Sequence, residues 1–489
     1  MVNANNFRMG TNKMAFRKLF GFLPLTVGLS VMCLMTIAAR GEVIFTNLVS
    51  FTGTGGACPG AGPYCGLALG ADGNFYGTTS VGGANNLGTV FRLTPGGAFT
   101  SLVSFNVTNG ATPYAALTPG NGGFLYGTTY AGGVSNWGTL FLITTNGGFT
   151  NLFSFTGTNN PWQGSSPAAA LVPDGAGNFF GTADYGGSTN ASYGGYGFGS
   201  VFELATNGTV TAPVIFGNTN GAFPSGGLVL GKDGNFYGTT RWGGQNVPGT
   251  LLGYGAIFRM SPDGTFTNIY KFTGGSDGGF IYAGLVQDSD GWLYGGAFQG
   301  GSPGYGTLFK ISTNGTFVPL HTFNFFEIGT PYAGLMEGSD GNFYGTTYGL
   351  YASGHGTVFQ LTPDGAFTNL LFFNGANGSY PAGVLVQGPD NNFYGTTSSG
   401  GANGLGTIFR LSVPMPAVFK ALALMNGAAT LTWSAVAGQT YQLQFSTDLT
   451  QNNWTNLGKL IFPTNGVMTT TDSSAAGFPQ RFYRVVLYP

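Results

Sequence analysis

The chain has 489 residues, among them 89 glycines, with 7% charged and 15% aromatic side chains and a formal net charge of −1. That length accommodates two domains, and a hydrophobic fraction of 42% supplies a core, which excludes glycine-rich disorder. Glycine and Asn/Thr-rich stretches interrupt every segment before a helical period is established, so long helices are excluded and an all-β chain is expected.

Residues 1–40 differ from the rest. Arg8, Lys13, Arg17 and Lys18 precede an uncharged apolar run from Leu19 to Ala39 that ends on Ala38–Ala39. A basic start, an apolar middle and small terminal residues are the pattern of a secretory signal peptide, so the protein is expected to be secreted or displayed at the cell surface. Left uncleaved, the run is long enough to act as an anchor, and it is the single expected membrane contact. Removing it leaves 11 basic residues against 17 acidic ones, about six negative charges, with no basic cluster. Nucleic acid is therefore not an expected partner.

Cys58 and Cys65 follow in "ACPGAGPYCG". In an exported protein such a nearby pair reads as a disulfide closing a Pro/Gly loop. No histidine lies close enough to complete a zinc site there, so no metal is expected.

From residue 42 to 413 the chain repeats itself. The glycine of "FYGTT" and its variants falls at Gly77, Gly127, Gly181, Gly238, Gly295, Gly345 and Gly395, at intervals of 50, 54, 57, 57, 50 and 50. Each copy holds four strand-like pieces, as in Ala333–Ser339, Asn342–Tyr348, Gly356–Thr362 and Phe367–Phe373, with Asp-Gly turns between the first and last pairs. Four short antiparallel strands per repeat of about 50 residues describe a propeller blade. "TVFRL" and "NFYGTT" carry bulky groups on both faces, as sheets covered on both sides require. The seventh copy lacks the fourth strand, whereas "FTNLVSF" (Phe45–Phe51) precedes the first copy. The expected fold is thus a seven-bladed β-propeller over residues 42–413, closed by an N-terminal strand that leaves no orphan edge. Residues 414–489 lack the repeat; "ATLTWSAV", "YQLQFSTDL" and "RFYRVVLYP" predict a small β-sandwich of fibronectin type III-like pattern.

"GLVLGKDGNFYGTT" (Gly227–Thr240) and "GTVFRLTPGGAFTSLVSF" (Gly88–Phe105) resemble the GloVer tandem repeat of exported bacterial proteins, over nearly all of residues 42–413. The resemblance implies export and a propeller-like fold, and brings no activity and no catalytic residues with it.

Titratable groups are scarce. Nine of the 17 acids sit in Asp-Gly-like turns and are expected to form those turns. An Asp-Gly loop can hold structural calcium, but the alternating oxygen ligands and terminal Glu of an EF-hand are missing, so no cofactor is expected. Neither Gly-Lys pair is followed by Ser or Thr, which excludes a phosphate loop. His321 reads as a packed or edge-strand residue and His355 as a loop residue.

What varies between the copies carries more information. Directly after the Gly-Thr-Thr step stand Ser80, Tyr130, Asp184, Arg241, Phe298, Tyr348 and Ser398, entering loops that share one face of the disc, with the Asp-Gly turns on the other. Trp137, Trp162, Tyr185 and Trp242 belong to the same varied face. Loops on a rigid scaffold are where binding resides, and aromatic side chains suit sugars or peptides. The expected ligand-binding set is Tyr130, Trp137, Tyr185, Arg241, Trp242, Phe298 and Tyr348. The expected function is a monomeric, non-catalytic scaffold that recognises a glycan or an envelope or other extracellular protein. The rival reading is a polysaccharide hydrolase or lyase using Asp184, Arg241 and His355 at the channel mouth; a third is a purely structural surface or adhesive component.

Overall fold

The computed structural model describes residues 34–37, 42–157, 164–187, 196–245, 252–327, 329–349, 354–415, 417–448, 453–478 and 480–488. Of the expected leader only Leu34–Ile37 is among the described residues, and Trp162 lies outside them. Among the described residues the chain is all-β, interrupted by short 3-10 turns, and no helix is long and apolar enough to cross a membrane.

Seven of the nine sheets repeat one plan. The first consists of Ala68–Leu69, Phe75–Thr79, Thr89–Leu93 and Phe99–Ser104, each strand antiparallel to the next. In the seventh sheet Val386–Gln387, Phe393–Thr397 and Thr407–Ser412 are completed by Ile44–Ser50, which pairs antiparallel with Thr407–Ser412. The strand left over at one end of the repeat region thus fills the gap at the other.

The repeated letters have separable physical roles. In "NFY", the Phe packs on the preceding sheet and the Tyr on the following one. Tyr126 meets Phe179 at a ring distance of 4.2 Å, Tyr294 meets Phe343 at 3.9 Å, Tyr344 meets Phe393 at 4.1 Å, and Tyr394 of the seventh sheet meets Phe75 of the first at 4.1 Å. Phe180 takes the Tyr place against Phe236 at 4.3 Å, while Tyr76 and Tyr237 share cores with Leu125 and Leu293 of the next sheets. Successive sheets therefore pack face to face, and the seventh meets the first. This explains why these strands are apolar on both faces.

The following glycine is demanded by its neighbour across the sheet. Gly77 pairs with Phe91, whose ring lies over it. In all seven copies a methyl group on this glycine would stand 2.4 to 2.8 Å from the tip of the facing Phe ring. The second Thr then shares a hydrogen bond with the Thr opening the third strand, as in Thr79–Thr89 at 2.8 Å and Thr397–Thr407 at 2.8 Å.

The Asp-Gly turn does more than turn. Asp72 accepts from the Asn74 backbone at 3.1 Å and the Asn74 amide at 2.8 Å, and Tyr76 Oη donates to it at 2.7 Å. The same triad recurs at Asp233, Asp340 and Asp390, with Tyr hydroxyls at 2.7, 2.8 and 2.9 Å. A tyrosine ring buried between sheets needs a partner for its hydroxyl, and the turn aspartate supplies one. The hydrogen bonds hold the Asp72 and Asp233 carboxyls below the usual aspartate range.

The expected Cys58–Cys65 disulfide is not formed; both thiols are free. The Thr52 amide donates to the Cys58 carbonyl at 2.9 Å, which keeps Cys58 in the loop after the Ile44–Ser50 strand. Cys65 opens the inner edge of the first sheet, where its buried Sγ lies 3.1 Å from Thr78 Oγ1. The Pro/Gly-rich segment between them sends the two side chains to different neighbours.

After Ser412 the chain enters two small sheets, Phe419–Met425, Ala428–Ser434 and Val467–Asp472 in one, Thr440–Ser446, Thr455–Asn456 and Phe482–Tyr488 in the other, where Leu34–Ile37 adds in parallel. Trp433, Tyr441, Leu443, Tyr483 and Val485 fill one core. Arg481 is buried between the rings of Phe445 and Phe478 and paired to Asp472, which also accepts from Tyr483. This unit sits on the turn of the seventh copy, which departs from the consensus. "DNN" replaces Asp-Gly-Asn, and Asn391 takes the glycine place at φ 62°. Its amide donates to the Ala435 carbonyl at 2.6 Å and the Gly466 carbonyl at 3.0 Å, while Gly466 N donates to the Pro389 carbonyl at 2.9 Å. Asparagine tolerates the left-handed conformation that other side chains resist, so the substitution adds two contacts without losing the turn.

Candidate functional site

Each inner strand is preceded by a short segment that in several copies reads Pro-Tyr followed by small residues. Small residues there let adjacent segments approach closely: a methyl group on Gly66 would stand 2.4 Å from the Val384 carbonyl oxygen, and one on Gly284 2.6 Å from that of Gly227. At the entrance the segments carry Tyr64, Tyr114, Ala168, Ser225, Tyr282, Tyr332 and Ala382, and these line a cavity of roughly 620 Å³. Cavities of this size hold small organic ligands.

Three residues from the position after Gly-Thr-Thr enter the same cavity: Tyr130, Asp184 and Arg241. They come from consecutive sheets, because each follows the second strand of its own copy. Asp184 is 6% exposed, and its Oδ1 has no hydrogen-bond partner among the described residues. Burial pushes its carboxyl above the usual aspartate value, against the opposing effects of the Arg241 charge and the Ser225 hydroxyl. The Ser225 hydroxyl also donates to the Phe223 carbonyl at 3.4 Å. Arg241 lies over the rings of Phe223 and Tyr282, each 5.4 Å away, and its buried Nε likewise has no partner among the described residues. The ion pairs among the described residues are His321–Glu327 and Arg481–Asp472, so Asp184 and Arg241 act on one another at longer range.

The wall is aromatic. Tyr64 meets Tyr114 edge-on at 5.5 Å and Tyr114 meets Tyr130 at 5.3 Å. Across the cavity Tyr282 stacks on Tyr332 at 4.9 Å, backed by Phe298 at 5.0 Å and Tyr348 at 5.2 Å. Burial, reinforced by neighbouring tyrosines, pushes Tyr332 up to about 12 and raises Tyr114 and Tyr130 as well. These hydroxyls stay protonated at neutral pH and can donate. Tyr130 also lines a second cavity of roughly 250 Å³ with Asn136, Trp137, Ser166, Tyr185 and Tyr196.

Of the sequence-derived candidates, Tyr130, Asp184 and Arg241 converge on the main cavity, and Trp137 and Tyr185 on the side cavity. Phe298 and Tyr348 stand behind the wall. Trp242 is committed to packing: it pairs with Ala222 through backbone hydrogen bonds of 2.8 and 3.0 Å, and its ring lies 4.6 Å from Phe280. His355 is elsewhere, its Nδ1 2.9 Å from Ser379 Oγ. His321 sits on the outer strand of its sheet, stacked on Phe367 at 4.2 Å. Ser80 and Ser398 donate to backbone carbonyls at 2.9 Å. The residues that sequence reading missed are Tyr64, Tyr114, Ser225, Tyr282 and Tyr332. Their signal was present, since the residue after Pro63, Pro113, Pro224 and Pro331, and after Ile281 in the fifth copy, varies between copies as does the residue after Gly-Thr-Thr.

A model of the Gloeobacter/Verrucomicrobia repeat family matches residues 33–193, 188–325 and 252–451, and the chain belongs to that family. Comparison with curated proteins gives no match. Among solved structures the chain is similar to the BP39L lectin from Burkholderia pseudomallei, with 10% identity, 73% of this chain and 99% of that one covered, and a TM-score of 0.46. It is similar also to a puromycin hydrolase (14% identity, 77% and 60% covered, TM-score 0.45) and to a luciferin-regenerating enzyme (12%, 77% and 97%, 0.40). Likeness at this level carries no functional weight.

Proposed function

We propose that the protein is an exported, non-catalytic binding scaffold: a seven-bladed β-propeller with a fibronectin type III-like C-terminal module, whose ligand enters the channel mouth on the varied face. One observation carries this reading. Asp184 and Arg241, each with a buried polar atom that has no partner among the described residues, line one tyrosine-walled cavity at the position where the copies stop agreeing. Folding alone does not reward two such atoms, because an unpaired buried polar group is destabilising. A ligand that hydrogen-bonds these two side chains offsets that cost. Export is supported by the basic and apolar pattern of residues 1–40.

The hydrolase reading keeps Asp184 and Arg241 but loses His355. Among the described residues lining the cavity Asp184 is the single carboxylate, whereas glycosidases of the usual kind need two. The test is a glycan array probed with the mature protein, alongside Tyr114→Ala, Tyr332→Ala and Trp242→Phe variants. Capture that both Tyr→Ala changes abolish and Trp242→Phe leaves intact is expected. Capture insensitive to Tyr114 and Tyr332, or turnover of the captured glycan, overturns the reading.

A further inference from the structure

The two cavities share Tyr130, and their linings differ in kind. The main cavity holds one acid, one base, Ser225 and the tyrosine hydroxyls; the side cavity is dominated by the rings of Trp137, Tyr185 and Tyr196 with Asn136 and Ser166 at its edge. We propose that the ligand is an uncharged glycan of at least two sugar residues, its terminal residue in the main cavity and the adjoining one in the side cavity. This rests on the channel-mouth reading above.

Charge balance argues for a neutral ligand. A cation drawn to Asp184 meets Arg241 in the same enclosed space, and an anion drawn to Arg241 meets Asp184; at low dielectric neither conflict is screened. A hydroxyl avoids both, because it donates to a carboxylate such as Asp184 and accepts from a guanidinium such as Arg241, the two opposite charges of the cavity lining. Each side chain also holds a buried atom, Asp184 Oδ1 and Arg241 Nε, that has no partner among the described residues. The remaining wall fits the rest of a sugar ring. Tyrosine presents an apolar face to C–H groups and a protonated hydroxyl to ring oxygens and further hydroxyls. Tyr130, which borders both cavities, sets the length. Trp137 and Tyr185 lie beyond it, with Tyr196 at 6.1 and 6.0 Å from their rings, which places an aromatic platform next to the polar seat.

The experiment is isothermal titration, with saturation-transfer NMR for weak binders. Its probes are glucose, galactose and mannose, their neutral disaccharides, and glycine and leucine as zwitterions. At least one disaccharide is expected to bind about threefold to tenfold more tightly than its monosaccharide, the range of one added aromatic contact. Trp137→Ala is expected to remove that advantage and leave the monosaccharide affinity unchanged. Asp184→Asn, which keeps the side-chain shape, and Arg241→Gln are each expected to weaken both sugars about tenfold or more. Equal affinities for mono- and disaccharides that Trp137→Ala does not alter overturn the two-seat reading. A zwitterion bound in place of every sugar, and lost in Asp184→Asn, overturns the glycan class while the channel-mouth site stands. Sugar binding indifferent to Asp184, Arg241 and Trp137, or no binding by any probe, overturns both. Circular dichroism and urea midpoints of each variant separate lost binding from lost folding, and Asp184→Asn keeps the test open should Arg241→Gln fail to fold.

Discussion

Gly238→Ala isolates the contact that the repeat depends on most. The alanine methyl would stand 2.4 Å from Phe258 Cζ, 2.9 Å from Phe258 Cε1 and 2.8 Å from Leu228 Cδ2. Gly238 itself lies in an ordinary strand conformation, outside the left-handed region, so the cost is steric. Phe258 and Leu228 are both buried in one core, with no solvent side to yield into. Overpacking of this kind costs about 1–3 kcal/mol, and the upper half of that range is expected here because two neighbours must move together. Phe258→Leu removes the ring and by itself destabilises by about 1–2 kcal/mol. The double variant relieves the clash, so it should be at least about 1 kcal/mol more stable than the sum of the single changes predicts. The assay is equilibrium urea unfolding of the four proteins, with the slopes compared to check that one transition is being measured. Additive effects would refute the claim that the Phe ring is what excludes a side chain at this position.

Two further predictions rest on the site and on the C-terminal unit. Because burial raises the Asp184 carboxyl above its ordinary value of 3.8, the folded protein holds that proton more tightly than the unfolded chain. Its contribution to stability is thus full below the ordinary value and is lost as pH rises through the folded one. Asp184→Asn should therefore gain stability relative to the parent from acid toward neutral pH, and a difference that is flat or falls with pH in urea midpoints would count against a buried, unpaired carboxyl. Asn391→Gly keeps the left-handed turn but deletes the bonds to the Ala435 and Gly466 carbonyls; it should weaken the docking of the C-terminal unit by about 1–2 kcal/mol. Limited proteolysis between residues 413 and 419 should quicken, while amide exchange in Phe236–Thr240 stays as slow as before; unchanged cleavage would show that the turn does not hold the unit.

Much of the candidate site was legible because the repeat itself marks where to look. When seven copies keep "FYGTT" or a near variant of it and then carry Ser, Tyr, Asp, Arg, Phe, Tyr and Ser, selection for the repeat has stopped and something else governs the next position. That reasoning reached Tyr130, Asp184 and Arg241. It failed for Trp242 because an aromatic in a varied position serves packing as readily as binding, and which one it serves depends on whether a neighbour such as Phe280 covers it. It overlooked Tyr64, Tyr114 and Tyr332 because "PY" ahead of an inner strand looks like a turn until the sheets are packed together, and Tyr282 because "IY" looks like ordinary strand text.

By itself the sequence determined the all-β class, the number of copies, the turns between strands and the strand left over for closure. Those follow from local chemistry: glycine where the chain must turn or lie under a ring, aspartate where an amide needs an acceptor, and apolar pairs on both faces of each strand. Tertiary structure decided the remainder. It showed the turn aspartates bonding tyrosines buried between sheets, parted Cys58 from Cys65, gave Asn391 a partner 44 residues away in the chain, and brought Asp184 and Arg241 from consecutive sheets into one cavity. Each of these depends on which side chains end up beside one another once the ring closes, and spacing along the chain carries no record of that.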